Sequence, residues 1–148
     1  MKSLVRISIF TRPIILLALL SLLHAGGSTV GEEAELVSYA QDVYRQQGVN
    51  MARSAFELDE QDTWGRVFLI RLVSRSTTLS TDLLQAFLIG GAVSQHARSP
   101  MDQVVVTVEV EFSHRQDMIL SADGKCCEKL YNNRMTPEMF TKTCLRMK

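Results

Sequence analysis

Residues 101–114, MDQVVVTVEVEFSH, carry the clearest periodicity in the chain. Val104, Val106, Val108, Val110 and Phe112 fall on one side of an extended strand. Val105, Thr107, Glu109 and Glu111 fall on the other. Successive side chains of a strand point to opposite faces, so the first set reads as core and the second as mostly wet. A strand with one dry and one wet face belongs to a sheet covered on one side only. That requirement organises the rest of the reading, because helices are then needed for the dry side.

Helical periodicity lies upstream. In STVGEEAELVSYAQDVYRQQG, Leu36, Ala40, Val43 and Tyr44 recur at helical spacing, with Glu32, Glu33 and Glu35 placed for its first turn and Gly48 for its stop. VNMARSAFELDEQDTWG alternates weakly at Ala52, Ser54, Phe56 and Leu58 and is read as a strand followed by an acidic loop, ELDEQD. RVFLIRLVSRS is short and branched, as a buried strand is. STDLLQAFLIGGAVSQHARSP returns to helical period, with Ser80 or Thr81 as cap and Pro100 as terminator.

Downstream, MILSADG predicts a short strand and an Asp-Gly turn, and KCCEKLYNN a short helix. In TPEMFTKTCLRMK, Thr136 caps a last helix and Pro137 opens it. Lys142, Arg146 and Lys148 complement its far end. The order gives an α+β domain over residues 28–148: a small, mostly antiparallel sheet, helices packed on one face, and a C-terminal helical hairpin.

Residues 1–27 stand apart. Lys2, Arg6 and Arg12 precede an apolar run of about 12 residues, IILLALLSLLHA, and then small residues up to Gly27. Basic, apolar and small in that order is the pattern of a secretory signal peptide. A membrane-spanning helix needs about 20 apolar residues, and Pro13 and Arg12 stop this run short. A periplasmic or secreted location follows, with no stable membrane span after cleavage. Removing the leader leaves about 13 basic against 16 acidic residues. Acids crowd residues 28–62 and bases residues 113–148, without a basic cluster of the kind that neutralises phosphates, so no nucleic acid partner is expected.

An oxidising compartment gives the cysteines weight. There are 3: adjacent Cys126 and Cys127, and Cys144. Antiparallel terminal helices would bring one of the pair against Cys144. Neighbours on a helix point about 100° apart, so only one can bond. The leftover thiol has three open fates: buried and inert, bridged to another chain, or activated by Lys125 and Lys129.

Gly90 and Gly91 pose a second question, since each costs a helix about 1 kcal/mol against alanine. With Ala86 they leave a flat strip for a close neighbour. That neighbour is either the domain's own sheet or a second subunit, which makes Ala86, Gly90 and Gly91 interface candidates.

Other constellations are thin. Glu109 and Glu111 share a strand face, as two hydrolytic carboxylates would and as any solvated strand does. His114, Asp117 and Cys126 could form a nucleophilic set, but nothing in the sequence gathers them. His96 reads as a surface residue. Adjacent cysteines lack the two-residue spacer of zinc and redox motifs. Met118, Met135, Met139 and Met147 are read as core filling. No catalytic residues, metal site or cofactor are assigned. The expected function is that of a small exported interaction or structural protein, docking a protein partner or itself. A carrier of a small apolar ligand is the alternative, and a thiol-dependent redox protein the next.

Overall fold

The computed structural model of the chain describes residues 28–111 and 117–147. The expected signal peptide, Phe112, His114 and Lys148 lie outside the described residues. The described residues from Glu32 onward form one compact unit.

The described elements are α1 (Ser28–Gln46), a 3-10 turn (Arg53–Ala55), β1 (Phe56–Gln61), β2 (Gly65–Arg75), α2 (Leu79–His96), β3 (Gln103–Glu111), β4 (Met118–Asp123), α3 (Gly124–Tyr131), α4 (Pro137–Thr143) and β5 (Arg146–Met147). The fold is α+β. The 5 strands lie in sequence order, β1-β2-β3-β4-β5. The β1–β2, β3–β4 and β4–β5 pairs are antiparallel, and β2–β3 is parallel. A parallel neighbour cannot be reached through a tight turn, and α2 supplies the crossover between β2 and β3.

Val104, Val106 and Val108 are buried as expected, against Phe68, Ile70 and Leu72 of β2 and Leu120 and Ala122 of β4. The helices fill that side. Leu36, Val37, Ala40 and Tyr44 come from α1, and Ala86, Phe87, Ile89 and Val93 from α2. Ring contacts link the layers: Tyr44 to Phe56 at 5.8 Å, Phe56 to Phe68 at 6.1 Å, and Phe87 of α2 to Phe140 of α4 at 5.3 Å.

Several expectations are corrected. Of the acidic ELDEQD all but Asp62 is strand, not loop: Glu57 to Gln61 pair in register with Leu69 to Gly65. The connection is only Asp62 to Trp64, and Gly65 turns the chain with φ 68°. That left-handed conformation suits glycine, and a Cβ there would also lie 2.2 Å from an Asp102 carboxylate oxygen, the oxygen that accepts the Arg66 N–H.

Asp123-Gly124 is not a hairpin turn but the strand-to-helix junction, where the Asp123 side chain accepts from the Lys125 N–H and caps α3. Helix α2 begins at Leu79, before Ser80 and Thr81, and Asp82 takes the local hydroxyls instead, from Thr78 and Ser74. Thr136 does cap α4, accepting from the Met139 N–H. Arg146, expected to close that helix, pairs with Ser121 in the short β5.

Glu32 does not sit in the first turn of α1. The helix begins four residues earlier, and Glu32 is instead buried against Arg66 of β2, with Oε2 2.8 Å from Nη2. Its other oxygen accepts the Arg98 N–H at 3.0 Å, and Arg66 donates to the Ser99 carbonyl at 2.8 Å. One ion pair thus ties α1, β2 and the segment after α2. The hydrogen bond from Arg66 holds the Glu32 carboxyl below the usual glutamate range, against the opposing effect of burial. A carboxyl depressed in the folded state stabilises fully above its unfolded pKa, and that contribution is lost as pH falls through the folded pKa. Glu32→Gln is therefore expected to cost about 2 kcal/mol at pH 7, less than an isolated buried pair because Glu60 and Ser99 still face Arg66. Urea unfolding at pH 7 and pH 3 checks this: the gap between wild type and variant narrows in acid.

Candidate functional site

The cysteines resolve first. Helix α3 turns Cys126 outward and Cys127 inward. Cys126 is disulfide-bonded to Cys144, 18 residues on, with Cα atoms 6.1 Å apart. The Met135 thioether lies 3.7 Å from the Cys144 sulfur. Cys127 is fully buried and unbonded. Burial pushes its thiol far above the ordinary range, and the charges of Asp123 and Glu128 push the same way. Activation by Lys125 and Lys129 is therefore corrected: the dominant influence is the loss of water, which disfavours the thiolate. In that position the Cys127 side chain is shielded from solvent.

The small-residue strip of α2 is also internal. Ala86, Gly90 and Gly91 are all buried. A Cβ on Gly90 would lie 2.5 Å from a Val104 methyl of β3, and one on Gly91 would lie 2.1 Å from the Cys127 carbonyl oxygen of α3. The two glycines thus admit the sheet on one side and a helix backbone on the other. Read as interface candidates for a second subunit, these residues are covered here by the chain's own β3 and α3.

His96 lies at the surface, as read, stacked on Tyr39 with ring centroids 4.2 Å apart and Nε2 3.7 Å from a Glu35 oxygen. Of the four methionines read as core, Met139 and Met147 are exposed. Glu111 is held by Arg75 at 3.2 Å, so it does not form a free acid–base pair with Glu109.

The sheet face turned away from the helices is different in kind. Toward the start of β3 it is closed: Val105, expected to be wet, is 3% exposed, flanked in register by Leu69 and Ser121. Further along it opens into a groove of about 370 Å³ lined by Arg71, Val73, Thr107, Glu109, Asp117 and Ile119. Val73 is 65% and Ile119 39% exposed. Arg71 is engaged outward, to Glu57 and the Ser54 carbonyl. A smaller groove of about 130 Å³ lies between α2 and α4, over Leu83, Leu84, Phe87 and Phe140. No group of three His, Cys, Asp or Glu side chains among the described residues is placed to hold a metal ion, and no described helix is long and apolar enough to cross a membrane.

The sequence reading missed this groove because its residues come from three strands. Val73 and Ile119 are adjacent only once β2, β3 and β4 are in register, and the alternation in each strand was the only signal available. No protein-family model, curated protein or solved structure matches the chain.

Proposed function

We propose that the chain is a small exported protein that acts by contact, binding a protein partner through the open part of its sheet face. One observation carries this: Val73 and Ile119, two branched aliphatic side chains, stand 65% and 39% exposed beside a groove on the face no described helix covers. Leaving such area wet forgoes roughly 25 cal/mol per Å², and a partner recovers it. The leader-like residues 1–27 and the Cys126–Cys144 bridge support the exported setting. The sealed Cys127 argues for contact over thiol chemistry.

The test places arginine at Val73, and separately at Ile119, in the full chain in its native host. Partners are then recovered by in-cell cross-linking. Both positions are solvent-facing, so the melting temperature is expected to hold while the cross-linked complex falls by about tenfold or more. A complex formed equally well by both variants would show that this face is not the contact.

A further inference from the structure

Resting on that reading, we infer that the partner segment is cationic: a lysine or arginine flanked by aliphatic residues, laid across the groove between β2 and β4. The register supplies the argument. Val108 pairs with Met118 and Thr107 with Ile119, so one step further places Glu109 directly across from Asp117. Both line the groove, and both face away from the helices. Like charges directly opposite each other on neighbouring strands repel.

No described residue neutralises them. Arg71 is committed to Glu57, and Arg75 to Glu111. Among the described residues neither Glu109 nor Asp117 has a basic partner. The two carboxylates sit beside Val73 and Ile119, so the groove presents aliphatic surface next to negative charge that no described cation pairs with. That combination matches a long basic side chain, whose methylene stem packs on apolar surface while its charged head reaches the carboxylates. A volume of about 370 Å³ suits one or two side chains, near the lower end for ligand sites. A second copy meeting face to face would bring the same acids together at the centre, which disfavours self-association here.

The probes are the amidated peptide GVKVKVG, its counterpart GVEVEVG, and spermine, titrated into the isotope-labelled full chain by NMR. The basic peptide is expected to shift the amides of Val73, Thr107, Glu109 and Ile119, and the acidic peptide to leave them unmoved. Glu109→Gln with Asp117→Asn is expected to weaken binding about tenfold, two partly exposed ion pairs being lost. Removing the repulsion should leave the melting temperature unchanged or raised, so weaker binding would not reflect unfolding. Val73→Ser should weaken the peptide but not spermine.

Equal binding by the double variant, or by the acidic peptide, overturns the proposal. So does spermine binding as tightly as the peptide, which would mark a site for small cations. Should the basic peptide fail while Val73→Arg still abolishes the cross-linked complex, the sheet face stands as the contact and only its cationic occupant falls.

Discussion

Gly91→Ala is expected to destabilise the protein by about 3–4 kcal/mol, beyond the usual range for a single added methyl in a core. Helix propensity alone predicts the opposite sign, since alanine is better than glycine by about 1 kcal/mol inside a helix. Geometry decides. The new Cβ would sit 2.1 Å from the Cys127 carbonyl oxygen and 2.5 Å from its carbon, and backbone cannot rotate aside as a side chain can. Helices α2 and α3 would have to separate, loosening the packing around Cys127 and Leu130. Gly90→Ala meets a Val104 methyl at 2.5 Å and is expected to cost less, about 1–2 kcal/mol, because β3 can yield at a side chain. Gly31→Ala, with nothing within 4 Å, is the control and should be neutral or slightly stabilising. Denaturant unfolding of the three variants checks the order. Gly91→Ala as stable as wild type would mean that α2 and α3 are not in backbone contact.

Replacing Cys126 and Cys144 together by serine is expected to cost about 3 kcal/mol, the chain-entropy value for a loop of this length. The loop holds α3 and α4, and β5 follows it directly, so the C-terminal third loses its tether at once. Its remaining anchors are Phe140 against Phe87, Leu130 in the core, and the two β5 pairs with Leu120 and Ser121. Melting of the serine pair, with and without reductant, measures this. Reductant should lower the wild type to the level of the variant and leave the variant itself unmoved. A variant that melts with the wild type would show that packing alone secures the terminus.

The α+β class was legible from periodicity because the sheet is dry on one side. Val104, Val106 and Val108 announce this within a single strand. The main helices and the strands of the centre were legible for the same reason. What escaped was whatever depends on partners distant in sequence. ELDEQD reads as loop by composition, yet its pairing with Gly65 to Leu69 makes it an edge strand, where charged residues guard an open edge. Glu32 reads as a helix-dipole residue because nothing local points to Arg66, 34 positions away. The two glycines were legible as a close approach, but not which one meets sheet and which meets helix. The groove was least visible, since Glu109 and Asp117 become neighbours only through the β3–β4 register.

On this proposal the cysteines do structural work and contact through the sheet face is the activity. Intact mass after alkylation tests this most directly, on native and on denatured, non-reduced protein. No alkyl group is expected on the native protein, one is expected after denaturation, at Cys127, and two sulfurs stay held as a single internal bridge. Rapid alkylation of the native protein would contradict it. So would a covalent dimer released by reductant, because Cys127 would then be reachable and thiol chemistry would return as a function.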